Sequence, residues 1–168
     1  MGVHRVLAGM VLICFAVVSP CLAENAGAKL TGQVTALLQK QDVSLNAHDV
    51  KGVMKTYLAG PEIILMGTGP GEVYRGVEGV EGAYSQFFTR FEKGTLSIAY
   101  DWVSAGSRED LGWFAAEGTI KAKIKEQMKE IGFNMSGTLI KQKGGWRFVI
   151  MHFSRLGVSA ESAPEAKK

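Results

Sequence analysis

Thiols are nearly absent from this sequence. Of its 168 residues only two are cysteine, Cys14 and Cys21, and both fall in an apolar N-terminal stretch. A chain processed beyond that stretch has no disulfide, no Cys nucleophile and no thiolate metal site. Histidine is scarce too: His4, His48 and His152 show no HExxH or other ligand spacing, so no metal site is expected and no cofactor is called for. No long run of one charge occurs. Nineteen basic residues interspersed with 16 acidic ones give a net charge of +3, which argues against nucleic acid as a partner. What is present, 46% hydrophobic and 21% charged residues, is the composition of one globular domain. It excludes a collagen, a polytopic membrane protein and a largely disordered chain. Neither an internal repeat nor an interdomain linker is visible.

Residues 1–23 read as an address. His4 and Arg5 precede an uncharged apolar run from Val6 to Val18, and Ser19-Pro20-Cys21-Leu22-Ala23 places small residues before a cleavage point after Ala23. That is the pattern of a secretory signal peptide. It predicts a periplasmic or secreted protein, with no stable membrane association once cleaved. Lipid attachment at Cys21 is the alternative, with Pro20 a poor match to the small residue needed before it.

Residues 24–158 then read as the domain. Leu30, Val34, Leu37, Leu38 and Leu45 recur at helical spacing, with Gln41 interrupting their stripe and Lys40, Asp42 and Ser44 off it. Residues 46–49 break the helix, His48 is expected as a solvated C-cap, and Asp49 can cap a second helix carrying Val50, Val53, Met54, Tyr57 and Leu58. Residues 62–67 and 73–75 read as short strands around a Gly-Pro-Gly turn. A third helix follows from Gly76, with Val77, Val80, Tyr84, Phe87, Phe88 and Phe91 on its stripe. Four strands follow, near 95–105, 111–124, 128–142 and 146–156, and the tail 159–168 reads as disordered.

A two-residue turn at Lys143-Gly144 pairs Met135 with His152, Gly137 with Ile150 and Leu139 with Phe148. Uninterrupted alternation then puts Phe133, Met135, Leu139, Trp146, Phe148, Ile150 and His152 on the core face. Val149, Met151 and Phe153 fall on the other face, among Asn134, Ser136 and Thr138. That apolar stripe predicts a homodimer packed through it. On the strand before, Ile98, Tyr100 and Trp102 share one side; Trp113 and Glu117 share another, and neither strand can be oriented.

Three motifs in order resemble one family. Leu45-Asn46-Ala47-His48-Asp49 resembles its break between the first two helices. Gly69-Pro70-Gly71-Glu72-Val73-Tyr74-Arg75-Gly76 resembles its turn and short strand before the third helix, and residues 144–154, GGWRFVIMHFS, resemble its terminal strand. The family is the SnoaL-like branch of the nuclear-transport-factor-2-like superfamily. The resemblance implies an α+β fold: three N-terminal helices packed in the concave face of a strongly curved, mostly antiparallel sheet, a cone with an apolar cavity. The superfamily contains ketosteroid isomerases, cyclases and dehydratases. Matching the motifs places the isomerase's helix-1 tyrosine on Gln41 and its base near Leu65, Met66 or Gly67. None is a phenol or a carboxylate, so the isomerase mechanism is not expected here.

The readings left are a cavity for a small apolar or carbonyl-bearing molecule, an isomerase-, cyclase- or dehydratase-type enzyme, and a dimeric assembly module without ligand. The expected lining is Leu38, Gln41, Tyr57, Met66 and Met135. His152 is the first candidate acid or base and Glu117 the second. A structural His152, tied off in the core, and a solvated Glu117 paired with a lysine are the plainer alternatives.

Overall fold

The computed structural model describes residues 20–156, with the side chains of residues 27–156. The expected tail and most of the export segment lie outside these residues. Residues 20–23 form the start of a helix, α1 (Pro20–Asn46), which begins well before the periodic stripe does. Leu30, Val34, Leu38, Gln41 and Leu45 make its buried line, at spacings of three and four. Two polar side chains on a neighbouring line satisfy strand backbone: Thr31 Oγ1 accepts from Ala105 N–H at 3.1 Å, and Asn46 Oδ1 from Leu96 N–H at 2.9 Å. No helix among the described residues is long and apolar enough to cross a membrane.

At the break, His48 takes a left-handed φ of 51°. It is not a solvated cap. Its ring stacks on Phe88 at 4.7 Å and meets the edge of Phe91, and burial, helped by Lys93, holds its pKa below the usual histidine value. Asp49 caps α2 (Val50–Met54) by accepting the Gly52 N–H at 2.9 Å. α2 is shorter than its stripe suggested. Leu58 N–H donates to Phe148 carbonyl, and Phe148 N–H to Thr56 carbonyl, so residues 56–58 run beside the last strand instead of completing a helix.

The remaining elements are β1 (Ile64–Met66), β2 (Val73–Arg75), α3 (Gly76–Phe88), β3 (Ser97–Arg108), β4 (Leu111–Ile124), β5 (Gln127–Gln142) and β6 (Gly145–Arg155). They form an α+β fold with one six-stranded sheet in the order β2-β1-β6-β5-β4-β3, antiparallel except where β1 runs parallel to β6. The helices cover one face; Val34, Leu38, Phe114, Met135, Leu139, Phe148 and Met151 meet in the core between them and the sheet.

Two β-bulges decide which side chains face that core. The terminal hairpin keeps the expected pairs from Gln142–Gly145 to Leu139–Phe148, and then the register slips so that Thr138 meets Ile150 and Ser136 meets His152. Val149 is the extra residue, and beyond it every β6 side chain changes face. Met151 is therefore fully buried on the helix side and Phe153 points inward, whereas His152 is exposed on the outer face. This overturns the core position expected for His152 and removes the stripe of Val149, Met151 and Phe153 as a dimer surface. Leu65 pairs with Met151 and Met66 with His152, so Met66 also lies on the outer side. A second bulge, at Asp101, separates Tyr100 from Trp102. Tyr100 faces the helices and Trp102 lies outside, 46% exposed, with its indole N–H donating to Glu117 at 3.1 Å.

Each bulge faces a glycine. A Cβ on Gly118 would strike the Ala99 carbonyl oxygen, and one on Gly137 the Ile150 carbonyl oxygen. The bulged strand pushes its backbone into the space that a side chain would take on its neighbour.

Candidate functional site

A cavity of about 310 Å³ lies between α1, α3, the β1–β2 turn and the helix-side face of the sheet. This is near the small end of the volumes that hold small-molecule ligands, about 300–1,000 Å³. Its wall is mostly apolar. Tyr100, Phe133 and Phe153 run across the sheet in sequence, their ring centroids 6.1 and 6.3 Å apart, and Phe87 and Phe91 close the α3 side at 5.1 Å.

Asp42 is the carboxylate of this cavity. It sits one residue past Gln41 on α1, flanking the buried line and turned toward β3, where Tyr100 hydroxyl donates to its Oδ1 at 3.1 Å. Burial raises its pKa from 3.8 to about 7, with the hydrogen bond from Tyr100 opposing part of that rise. The carboxyl thus changes charge near neutral pH, the condition for a group that both takes and gives a proton. Tyr100 is pushed well above the usual phenol range by its own burial and by the charge of Asp42, so it stays a hydrogen-bond donor. Tyr84 reaches the same cavity from α3 and is shifted upward, by burial first, with Asp42 close enough to add to the effect.

Behind these groups the polar core is closed. The hydroxyls of Tyr57 and Tyr84 share a hydrogen bond of 2.7 Å, and Tyr57 also contacts Met151 Sδ at 3.0 Å. Gln41 Nε2 donates to Thr56 Oγ1 at 2.9 Å, and Thr56 in turn to the Val53 carbonyl at 2.6 Å. Gln41 therefore lines the cavity with its amide nitrogen already committed. At the cavity's edge Glu72 folds over the β1–β2 turn. Its carboxylate accepts the Gly69 N–H at 2.9 Å and pairs with Arg90 at 3.5 Å, and these contacts, that of Gly69 foremost, hold its pKa low.

Of the residues expected at the site, Gln41 and Met135 line this cavity. Leu38 and Tyr57 are packed in the solid core behind it. Met66 is on the outer side, and Glu117 and His152 lie together there, at a shallow depression with Trp102, Asn134, Ser136 and Ser154. Asp42, Tyr84 and Tyr100 were not singled out as its reactive groups. A signal for Asp42 existed: Thr31, Asp42 and Asn46 stand eleven and four residues apart, a polar helical line beside the apolar one. Among the described residues no group of three His, Cys, Asp or Glu side chains is placed to hold a metal ion.

Solved structures with the same architecture are numerous. A nuclear-transport-factor-2-like protein of Salmonella enterica serovar Typhimurium superposes with a TM-score of 0.68 at 16% identity, covering 84% of this chain and 99% of that one. A scytalone dehydratase-like protein of Novosphingobium aromaticivorans gives 0.67 at 8% identity, covering 79% and 88%. A protein of Xanthomonas campestris resembling the association domain of calcium/calmodulin-dependent protein kinase II gives 0.64 at 20% identity, covering 74% and 86%. At such identities the likeness is one of fold alone, and these relatives range from a dehydratase type to an association domain. No curated protein matches by sequence. A family model does, over residues 34–159, and the chain belongs to the SnoaL-like domain family.

Proposed function

We propose that this is an exported acid–base protein that binds a small, mostly apolar molecule bearing an oxygen function and moves a proton on it through Asp42. The observation that carries the reading is the Asp42–Tyr100 pair in an otherwise apolar cavity: a carboxyl poised near pH 7 beside a phenol that remains a donor. A carbonyl placed there would accept the Tyr100 O–H in place of Asp42, and the released carboxylate would take a proton from the adjacent carbon, the division of labour that enolisation requires. Tyr84 is a second donor for the same oxygen. The proposed base thus lies on α1, away from Leu65, Met66 and Gly67, and neither His152 nor Glu117 takes part. Two solved structures with this fold bear dehydratase names, and a dehydration likewise turns on moving a proton.

The ketone 2-tetralone is a suitable probe, because exchange of its α-protons with deuterated water needs no knowledge of the natural ligand. The expected results are a ligand-induced rise in melting temperature and a proton exchange rate, followed by NMR, that climbs with pH and levels off above about 7. Asp42→Asn should keep the melting shift and lose the exchange. Binding with no exchange in the wild type would reduce the protein to a carrier, and the absence of both would overturn the reading.

A further inference from the structure

Charge at the cavity is unevenly matched. Asp42, Glu72, Arg90, Lys129 and Arg155 all line it. Glu72 and Arg90 are paired with each other. Lys129 and Arg155 have no carboxylate within ion-pair distance among the described residues; Lys129 Nζ donates to Gln127 Oε1 at 2.7 Å. Lysines of the same hairpin that point outward are matched: Lys121 pairs with Glu130 at 3.1 Å, and Lys123 with Glu92 at 2.9 Å.

The direction of the two cations follows from the register. Phe133 and Met135 are buried on the helix side, so Ile131 and Lys129, at alternate positions on β5, share their face. Arg155 is the cross-strand partner of Phe133 and faces the same way. Tyr100, Gly118, Phe133 and Arg155 form one row across β3, β4, β5 and β6. Three strand spacings at about 4.8 Å put the ends of that row roughly 14 Å apart along the sheet. Phe133 stands between the two ends, with Phe153 beside Arg155 on β6. Arg155 does not draw the Asp42 carboxyl down, which agrees with that separation.

We infer that the cavity takes an amphipathic anion: an apolar, ring-sized body whose carboxylate is held at the mouth by Lys129 and Arg155, with its oxygen function at the Asp42–Tyr100 end. The inference rests on the ligand-binding reading above and adds the charge of the ligand. A guanidinium offers a carboxylate two parallel N–H donors, and an ammonium beside a low-dielectric wall adds attraction that bulk water would otherwise screen. Both cations also set an entry direction, with the anionic end trailing.

The test compares 6-hydroxy-2-naphthoate with 2-naphthol, which lacks the carboxylate, by fluorescence titration at neutral pH. The naphthoate should bind the wild type at least about tenfold tighter, the gain of one or two charge-assisted hydrogen bonds. That preference should shrink in high salt. In the Lys129→Gln/Arg155→Gln variant it should vanish while 2-naphthol affinity stays the same. Equal binding of the two probes to the wild type overturns the charge assignment and leaves the cavity reading intact. A preference that survives in the double variant does the same. Binding of neither probe overturns both. Glu161 and Glu165, in the C-terminal residues, are the competing partners within the chain. A preference that appears only after Glu161→Gln/Glu165→Gln shows that the cations serve the chain's own terminus, and the inference then fails.

Discussion

Desolvating a carboxylate beside a phenol works against the fold above neutral pH. Asp42 is held at about 7 in the native state against 3.8 as a free side chain, so between those values the folded protein binds the proton that the unfolded chain has released. Native stability from this group is present below about 4 and is lost as pH rises through 7. The full effect is on the order of 4 kcal/mol. Asparagine cannot ionise and can still accept the Tyr100 hydrogen bond. Asp42→Asn should therefore melt higher than the wild type at pH 8.5, with the gap closing toward pH 4.5. His48 has the opposite sign, since its lowered pKa removes stability as pH falls below 6.5, but it is common to both proteins and cancels in their difference. A gap that is constant across this range would show that Asp42 is not desolvated. A group that weakens the fold in one protonation state and gains a titration midpoint near neutrality is what an acid–base site contains and a purely structural helix does not.

Bulges are the reason the strands were legible and their faces only partly so. Helix periodicity, the Asp49 cap and the turn signals place the strands and α3 within a few residues, because these depend on local backbone preferences, whereas α1 starts earlier and α2 ends sooner than their stripes. Facing depends on counting by two, and one extra residue inverts everything beyond it. Val149 exchanged the positions of Met151 and His152, and Asp101 put Tyr100 and Trp102, expected on one side, on opposite ones. The site suffered accordingly: His152 was brought in by uninterrupted alternation, and the Tyr100 side of β3 could not be oriented. Gly118 and Gly137 held the missing information, since a glycine inside a long apolar strand marks a close backbone approach. The consequences are measurable by denaturant unfolding. Met151→Ala should cost about 2–5 kcal/mol, because it opens a void in the core and removes the sulfur that Tyr57 contacts. His152→Ala should cost less than about 0.5 kcal/mol, as for an exposed side chain. Gly137→Ala should cost about 1–3 kcal/mol by forcing β5 away from the Ile150 carbonyl. The reverse order for Met151 and His152 would restore the unbulged register.

At the scale of the whole molecule, the N-terminus and the domain meet inside one helix. α1 starts at Pro20, four residues ahead of the expected cleavage point after Ala23, so processing there would shorten the helix without dividing an element of the sheet. The first buried side chain among those described is Leu30, and the α1 side chains that accept backbone N–H groups of Ala105 and Leu96 are Thr31 and Asn46. Residues 20–23 amount to about one helical turn. Their removal leaves a helix start with four backbone N–H groups outside the helical ladder, as at any helix start. Export with cleavage is thus compatible with a domain that folds afterwards around the remainder of α1. Expressed in a host that secretes it, the protein should have an intact mass beginning at Glu24. The chain beginning at Glu24 should also melt within about 2 °C of the full-length protein, since a loss of a few tenths of a kcal/mol shifts a domain of this size by no more than that. A mass carrying acyl chains on Cys21 would make it a lipoprotein tethered by the first turn of α1. A retained residue 1 would remove the case for export, and with it the compartment in which the cavity is proposed to meet its ligand.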